Sequence, residues 1–193
     1  MTLPTPQERL DALVNAEADG DLPELLLFWG HQPEPDGSIG PGCLSQWWRA
    51  PFVIDGVRYP TAEHWMMAGK ARIFGDEDAL EAVMAAKNPG KAKAIGREVE
   101  GFDERAWGAH CYNLVVAGNV AKFGQRIPLR EYLLGTGALV LVEASPYDRL
   151  WGIGLAASDE AARSPVRWRG RNLLGFALME VRERLLAALS PSG

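Results

Sequence analysis

Two residues of opposite charge, Glu63 and Lys70, stand seven positions apart in a segment that is otherwise mostly apolar. Seven residues make about two turns of an α-helix, so the two side chains lie within roughly 20° of each other on one face. A buried amine has a lowered pKa and can act as a nucleophile, while a neighbouring carboxylate can transfer a proton. The pair is therefore a candidate for catalysis if the helix is buried. In the alternative interpretation, both charges belong to a narrow polar stripe that faces solvent.

The residues around this pair favour the buried arrangement. Thr61 and Gly75 are typical of the start and the end of a helix, and they delimit one that runs to about Phe74. Its other side chains are apolar on nearly every face, which is typical of a helix inside a protein core. A charge placed there must be paired or functional, because removing it from water costs free energy. The apolar residues expected to desolvate Lys70 are Trp65, Met66, Met67 and Phe74.

A second candidate segment, from Glu143 to Gly154, directly follows a predicted strand. Loops that follow strands often carry functional residues. Asp148 places an acid three residues before Trp151, whose indole ring can stack on a base or a sugar. In the alternative interpretation, the segment is a Ser-Pro turn in which Asp148 has a structural role.

Arginine is concentrated in one short segment near the C-terminal end. The planar guanidinium group suits bidentate recognition of phosphate or carboxylate, so this segment is a candidate phosphate clamp. The alternative is a solvated loop whose arginines balance local acids. Because the whole chain carries a formal net charge of −5, it is a poor general binder of nucleic acid. The four arginines of this segment are Arg163, Arg167, Arg169 and Arg171.

The remaining features exclude several classes of protein. A length of 193 residues, with 47% hydrophobic and 23% charged residues, is typical of one soluble globular domain. No apolar stretch is long enough to span a membrane, and the N-terminus lacks the pattern of a secretory signal. Two cysteines without a CxxC motif and three scattered histidines indicate neither a disulfide scaffold nor a metal site. P-loop, GxGxxG and GxSxG motifs are also absent, so we expect a cytoplasmic protein with no metal or organic cofactor.

Caps, breakers and apolar periodicity predict a helix-rich α+β fold with a few short strands. Strands are predicted at Leu25–Trp29 and Ala138–Glu143, and a small hairpin turns at Asp55-Gly56. Helices are predicted at residues 5–20, 61–74, 76–87, from 91 onward, 103–123, 128–135 and 172–189. Residues 1–22 are expected to form an N-terminal helical extension of one domain that spans residues 23–190.

The chain also carries a series of short motifs in a fixed order: Pro51-Phe52-Val53, Tyr59-Pro60-Thr61-Ala62-Glu63-His64, Lys70, Trp107, Lys122-Phe123, Leu133-Leu134-Gly135-Thr136-Gly137, Glu143-Ala144-Ser145-Pro146-Tyr147-Asp148, Trp151-Gly152-Ile153-Gly154 and Gly170-Arg171-Asn172-Leu173-Leu174-Gly175. Any one of them alone is a weak signal. Together, from about Phe28 to Leu185, they make the chain resemble the NADAR (YbiA-like) family.

The resemblance implies a single compact YbiA-like domain and an enzyme that hydrolyses an N-glycosidic bond. Members of the family are described as N-glycosidases of early riboflavin-pathway intermediates, and others as hydrolases that remove ADP-ribose from modified guanine. By position, the resemblance implies catalytic roles for Glu63, Lys70 and Asp148. The substrate-binding residues that it implies are His64, Trp107, Trp151, Gly152, Arg171 and Asn172.

This chain departs from the family pattern at two places. The family often has Tyr-Tyr-Gln-x-Gln-Lys after Glu-His, where this chain has Trp65-Met66-Met67-Ala68-Gly69-Lys70. The family also often has Ser-Asn-Phe near the first motif, where this chain has Ser45-Gln46-Trp47. Both changes concern expected pocket walls, so they bear on substrate preference more than on the reaction.

The sequence and the resemblance together predict cleavage of a ribosyl N-glycosidic bond through an oxocarbenium-like transition state. Two substrates fit equally: ADP-ribosylated guanine, as a nucleotide or in DNA, and phosphoribosyl-aminopyrimidine intermediates of riboflavin synthesis. No membrane partner is expected. Two other functions stay open, namely a non-catalytic module that binds ADP-ribose or NAD and an antitoxin-like partner protein. The pair of Glu63 and Lys70 argues against the binding module, because holding a phosphorylated sugar needs no buried carboxylate.

Overall fold

The computed structural model describes residues 3–189, and its helices and strands follow the predicted elements closely. In this part of the chain the fold has seven α-helices and four short strands, which confirms the helix-rich α+β class. The helices are α1 (Pro6–Asp19), α2 (Ala62–Phe74), α3 (Glu77–Met84), α4 (Pro89–Arg97), α5 (Glu104–Gly124), α6 (Ile127–Gly135) and α7 (Leu173–Leu189). The strands are β1 (Leu25–Phe28), β2 (Phe52–Ile54), β3 (Val57–Tyr59) and β4 (Val140–Glu143). Residue 190, the predicted end of the domain, and residues 1–2 of the predicted extension lie outside the described residues.

Local hydrogen bonds and backbone angles set the ends of α2 and the hairpin before it. The Thr61 side chain accepts from the backbone N–H of His64, which caps the first turn of α2. Gly75 ends α2 in the left-handed conformation, with a φ of 70°. Asp55 and Gly56 have φ angles of 49° and 76°, which turn β2 back into antiparallel pairing with β3. These three predicted features are confirmed.

One predicted helix is shorter in the structure. The helix expected at residues 76–87 ends at Met84. Asn88 is extended and caps α4 through its side chain, and Pro89 is the first residue of that helix. Because a proline disfavours helical geometry in the residue before it, Asn88 is extended and separates α4 from the chain that follows α3.

The described residues divide into two units, and unit 1 comprises residues 3–44 and 131–189. In unit 1, β1 and β4 pair in parallel, and the pairing ends with Phe28 opposite Glu143. The prediction of a buried strand that reaches Trp29 is therefore wrong at its last residue, which is 60% exposed. The predicted boundary between residues 22 and 23 lies inside this unit and stays a prediction.

The core of unit 1 is built from α1, β4, α7 and the chain that precedes α7. Helix α1 contributes Leu13, and its Arg9 forms an ion pair with Glu183 of α7 at an N–O distance of 2.6 Å. Helix α7 approaches β4 closely at Gly175, where a Cβ atom would overlap the Leu141 carbonyl oxygen. The buried residues of this core are Leu13, Val140, Val142, Ala144, Ile153, Leu155, Ala161, Ala162 and Phe176.

Unit 2 comprises Ser45–Arg130, and α2 is its central helix. Helix α2 packs against α3, α4 and α5, so it is covered on several sides. Two glycines let the neighbouring helices approach. A Cβ atom at Gly96 would overlap the Met67 sulfur atom, and one at Gly118 would overlap the Trp65 ring. This packing explains why Glu63 and Lys70 are both buried, whereas Arg72 and Ile73 at the C-terminal end of α2 are exposed.

Candidate active site

Glu63 lies in the first turn of α2 and is almost completely buried, with 2% of its surface exposed. Its backbone N–H donates a hydrogen bond to the Gln46 carbonyl oxygen at 3.0 Å. In the first turn, the carboxylate also lies at the positive end of the helix dipole, which stabilises negative charge. The alternative interpretation, in which this residue faces solvent on a polar stripe, is therefore wrong.

A second buried charge, Lys122 of α5, lies beside the same backbone segment. Lys122 is 0% exposed, and its Nζ donates to the Ser45 carbonyl oxygen at 2.8 Å. Since the next carbonyl along the chain, that of Gln46, accepts from Glu63, residues 45–46 bridge the amine of Lys122 and the start of α2. Lys122 belongs to the motif Lys122-Phe123, but its burial beside this segment was not predicted. The signal available was a charged side chain in an otherwise apolar stretch of a helix.

Two buried amides, Gln46 and Asn119, complete the surroundings of this segment. The sequence predicts Gln46 as part of a pocket wall, whereas Asn119 was not predicted. The Asn119 Nδ2 donates to the Gln46 Oε1 at 2.8 Å and to the Val115 carbonyl oxygen at 2.9 Å. Asn119 thereby holds the side chain of Gln46 in place. The backbone carbonyl of Gln46 in turn accepts the hydrogen bond from Glu63 at the start of α2. Gln46 belongs to Ser45-Gln46-Trp47, one of the two stretches that depart from the family pattern.

Lys70 lies two turns further along α2 and is 9% exposed. Its Nζ donates to the Gly96 carbonyl oxygen of α4 at 2.6 Å. The same nitrogen lies 4.1 Å from the centroid of the Phe102 ring and 5.9 Å from the centroid of a ring of Trp107. Burial lowers the pKa of Lys70, because the charged form loses water, and this confirms the predicted direction.

Phe102, the ring nearest to this amine, was not predicted from the sequence. It lies between α4 and α5, outside any helix, and packs edge-on against Phe74 at a centroid distance of 5.4 Å. Trp65, which was expected to desolvate Lys70, donates through its indole N–H to the Leu114 carbonyl oxygen at 2.7 Å. Helical periodicity identifies neighbours along one helix, whereas the ring nearest to this amine comes from another part of unit 2.

His64 is buried, and both of its ring nitrogens have hydrogen-bond partners. Nδ1 lies 2.8 Å from the Thr61 hydroxyl, and Nε2 lies 3.1 Å from the Ala86 carbonyl oxygen. Burial lowers the pKa of His64, and the bond to Ala86 opposes this shift only in part. These bonds tie the start of α2 to the segment after α3. The implied role of His64 in substrate binding stays a prediction.

Asp148 of unit 1 shapes the loop in which it lies. Its Oδ1 accepts from the backbone N–H groups of Leu150 and Trp151 at 2.9 and 2.7 Å. Its carbonyl oxygen accepts from Gly154 N–H at 3.1 Å. These bonds fit the alternative in which Asp148 has a structural role, and they also hold Trp151 at a fixed place beside the acid. The catalytic role stays a prediction.

Asn172 and Gly152 join the Asp148 loop and β4 to the start of α7. Asn172 is fully buried with a φ of 52°, and its N–H donates to the Gly152 carbonyl oxygen at 3.2 Å. Its Oδ1 accepts from Glu143 N–H, and its Nδ2 donates to the Leu141 carbonyl oxygen, both at 2.9 Å. Both the oxygen and the nitrogen of this side-chain amide therefore form hydrogen bonds with the backbone of β4. The substrate contacts implied for Asn172 and Gly152 stay predictions.

The arginine-rich segment is attached to unit 1 mainly through its backbone. Arg171 N–H donates to the Arg149 carbonyl oxygen at 2.9 Å, and Arg169 N–H donates to the Ile153 carbonyl oxygen at 2.9 Å. Glu17 of α1 accepts from the segment as well, through Val166 N–H at 3.1 Å. The side chains that were predicted to clamp phosphate are exposed: Arg163, Arg167, Arg169 and Arg171.

The predicted site residues are distributed over both units. Unit 2 holds four of them and brings Lys70 close to Trp107. In unit 1, hydrogen bonds connect Asp148 to Trp151 and Gly152 to Asn172. The residues of unit 2 are Glu63, His64, Lys70 and Trp107, and those of unit 1 are Asp148, Trp151, Gly152, Arg171 and Asn172.

Within residues 3–189, no group of three His, Cys, Asp or Glu side chains is arranged to hold a metal ion. The same part of the chain has no helix that is long and apolar enough to cross a membrane. Both cysteines, Cys43 and Cys111, are buried.

Comparison with known proteins agrees with the motifs. The model of the NADAR domain family matches residues 27–186. N-glycosidase R617 of Acanthamoeba polyphaga mimivirus is 40% identical over 149 residues, which cover 75% of this chain and 88% of that protein. N-glycosidase YbiA of Escherichia coli (strain K12) is 32% identical over 144 residues, which cover 75% of this chain and 81% of that protein.

A solved structure has the same fold. The NMR structure of the E. coli protein YbiA is similar with a TM-score of 0.69 at 28% sequence identity, and the match covers 86% of each chain. The family match begins after α1 and includes α2 through most of α7. It therefore contains every residue that was predicted for the site. On the ordered motifs, the fold and the extent of this match, the chain belongs to the NADAR family.

Proposed function

We propose that this NADAR-family protein is an N-glycosidase that hydrolyses a ribosyl N-glycosidic bond. The observation that carries the proposal is the buried amine of Lys70, which has a lowered pKa and lies beside two aromatic rings. Relatives from mimivirus and from E. coli that are named N-glycosidases support the reaction class. The proposed substrate is ADP-ribosylated guanine, as a nucleotide or in DNA, or a phosphoribosyl-aminopyrimidine.

Glu63 and Lys70 lie about two turns apart on α2. A rise of 1.5 Å per residue over seven residues separates their backbone positions by about 10 Å along the helix axis. The Nζ of Lys70 contacts the Gly96 carbonyl oxygen and the Phe102 ring, and Phe102 packs against Phe74 at the C-terminal end of α2. We propose that a bound ribose contacts both this amine and the carboxylate of Glu63.

The proposed reaction begins with a neutral Lys70 amine. Its nitrogen forms a bond to the anomeric carbon of the sugar while the bond from that carbon to the base breaks. The departing base gains the proton that the amine loses, and Glu63 carries it between the two nitrogens. The resulting glycosylamine opens to a Schiff base, and one water molecule hydrolyses it. Hydrolysis releases the free sugar and restores the amine, so atoms and protons balance over the cycle.

The lowered pKa of Lys70 supports this role, because it increases the neutral fraction of the amine near pH 7. Trp107 offers a ring beside the amine for stacking on the sugar or the base. For unit 1 by itself, we propose that Asp148 and Trp151 contact a sugar or a base and that Arg171 binds a phosphate group. If Lys70 instead stays protonated, it serves only to bind a phosphate or to balance Glu63.

The substrate class is tested by mass spectrometry of the products from a panel of three compounds. The panel contains free ribosylamino-pyrimidine phosphates, ADP-ribosyl-guanosine and ADP-ribosylated DNA. Release of a free base from any of them supports the proposed reaction and identifies the substrate class. Binding of these compounds without release of a base would refute it and would favour a non-catalytic binding module.

The role of Lys70 is tested by adding borohydride during turnover. We expect a covalent sugar adduct on the peptide that contains Lys70, because borohydride reduces a Schiff base to a stable amine. Lys70→Arg keeps the positive charge but cannot form an imine, so it should abolish both the adduct and turnover. Lys91→Arg is the matched control, because Lys91 is exposed on α4 and should keep both. If Lys70→Arg retains most of the activity, the covalent role is wrong.

A further inference from the structure

Two aromatic side chains of unit 1, Trp29 and Tyr147, are exposed side by side. Trp29 directly follows β1, and Tyr147 lies in the loop after β4. Because β1 and β4 are parallel and end with Phe28 opposite Glu143, both chains leave the sheet at the same edge. Trp29 is 60% exposed and Tyr147 is 88% exposed, yet their ring centroids are only 6.5 Å apart, with an angle of 51° between the ring planes.

Exposed rings of this size are unusual for a surface that binds nothing. Burying a large aromatic ring contributes to stability, and solvent-exposed clusters of Trp and Tyr are typical of binding sites. Here the two rings lie close enough for one flat ligand to contact both. Two rings tilted by 51° present a broad face and an adjacent edge. That arrangement suits a flat heteroaromatic ring, which stacks on one side chain and contacts the other through its edge.

Three arginines belong to the loop that carries Tyr147 or to the segment hydrogen-bonded to it. Arg149 follows Tyr147 by two residues, so their Cα atoms are at most about 7 Å apart. The backbone N–H of Arg171 donates to the Arg149 carbonyl oxygen, and Arg169 packs nearby. A Cβ atom placed on Gly154 would lie 3.1 Å from both the Arg149 Cγ and the Arg169 Cβ. All three arginine side chains are exposed, in a chain whose net charge is −5.

We infer that Trp29 and Tyr147 form a stacking subsite for the base of a nucleoside diphosphate, whose phosphates lie on Arg149, Arg169 and Arg171. Stacking rings beside guanidinium groups match the two chemical parts of such a ligand, a flat base and a diphosphate. A purely apolar partner would not account for three arginines at this place. The choice of a nucleotide rests on the proposed function, which makes the substrate a ribosylated and phosphorylated compound.

The subsite is tested by calorimetric titration with ADP and with inorganic pyrophosphate, which lacks a base. Stacking of one base on aromatic side chains corresponds to roughly tenfold or more in affinity. The double variant Trp29→Ala/Tyr147→Ala should therefore bind ADP at least about tenfold more weakly and bind pyrophosphate as the wild type does. Tyr147→Phe keeps the ring and is the matched control, with ADP affinity within about twofold of the wild type. Because both side chains are exposed, these variants should fold normally.

Three results would refute the proposed stacking subsite. The first is an ADP affinity that is the same in the double variant and the wild type. The second is an equal loss of ADP and pyrophosphate binding, which would mean that the substitutions disturb the arginines and not a base. The third is a ring-dependent affinity for an adenine-containing single-stranded oligonucleotide with none for ADP, because a strand and not a free nucleotide would then be the ligand.

Activity measurements separate this inference from the proposed function. If the wild-type chain releases no base from any compound of the panel but binds ADP in a ring-dependent manner, the proposed function is wrong and the subsite stands. If the chain releases base and the double variant binds ADP as tightly as the wild type, the subsite is wrong and the proposed function stands.

Discussion

Replacing Asn172 by alanine removes two side-chain hydrogen bonds that hold β4 to the start of α7. The Glu143 N–H loses its acceptor and the Leu141 carbonyl oxygen loses its donor, both in a part of unit 1 that water reaches poorly. Each buried group left without a partner costs about 1–3 kcal/mol. Alanine also adopts a φ of 52° less readily than asparagine does. We therefore expect the free energy of unfolding to fall by about 3–5 kcal/mol, a large share of the about 5–15 kcal/mol that is usual for a domain.

Two further substitutions at the same position separate these contributions. Asn172→Gly loses the same two bonds but accepts a positive φ without strain, so it should be up to about 1 kcal/mol more stable than Asn172→Ala. Asn172→Asp keeps the acceptor for Glu143 N–H but turns a charged oxygen towards the Leu141 carbonyl oxygen. The pKa of the new carboxyl is then raised in the folded state, so its destabilising effect should be larger at pH 7 than at pH 4.

The assay is urea denaturation followed by tryptophan fluorescence, with turnover measured per folded molecule. A structural role predicts a large loss of stability and nearly unchanged turnover in the protein that stays folded. A loss below about 1 kcal/mol in the alanine variant would refute the hydrogen-bond argument. If turnover per folded molecule collapses in all three variants while stability is retained, Asn172 contacts the substrate, as the family resemblance implies.

Two other predictions concern packing and charge. Gly175→Ala would place a Cβ against the Leu141 carbonyl oxygen and should lower the free energy of unfolding by at least about 2 kcal/mol. A Cβ atom at Gly108 of α5 would meet no other atom, so Gly108→Ala should raise the free energy of unfolding by up to about 1 kcal/mol. Denaturation curves that show the same change in stability for both variants would contradict this argument. Burial lowers the pKa of Lys70, so the folded chain loses the proton at lower pH than the unfolded chain does. The free energy of unfolding of the wild type, relative to that of Lys70→Met, should therefore rise with pH up to the ordinary lysine pKa of about 10.4. A difference between the two proteins that stays the same at every pH would contradict the lowered pKa.

The elements of this fold could be predicted where their signals are local. Thr61 and Gly75 form hydrogen bonds within four residues of themselves, so the ends of α2 follow from the sequence nearby. The turn at Asp55-Gly56 depends only on the backbone preferences of its own two residues. A helix that is apolar on nearly every face favours burial of Glu63, but periodicity alone also allows Glu63 and Lys70 to form a narrow polar stripe that faces solvent. The structure decides for burial.

The surroundings of the charged groups could not be predicted in the same way. Lys122 donates a hydrogen bond to the carbonyl oxygen of Ser45, which is 77 residues away in the sequence. Lys70 donates to the carbonyl oxygen of Gly96, which is 26 residues away. Phe102 is outside any helix, so no periodic pattern includes it. Such contacts depend on how α2, α4 and α5 pack, and no local pattern of residues determines that packing.

The departure from the family pattern after His64 has a physical consequence in this packing. Met67 stands within the altered stretch, and its side chain occupies the space that Gly96 leaves by having no Cβ atom. The carbonyl of Gly96 is also the group that accepts the hydrogen bond from Lys70. The residue at position 67 therefore influences how closely α4 approaches α2, and with it where the amine of Lys70 is held. We infer that these substitutions act on the chemistry of Lys70 through the position of α4, in addition to any direct effect on the substrate.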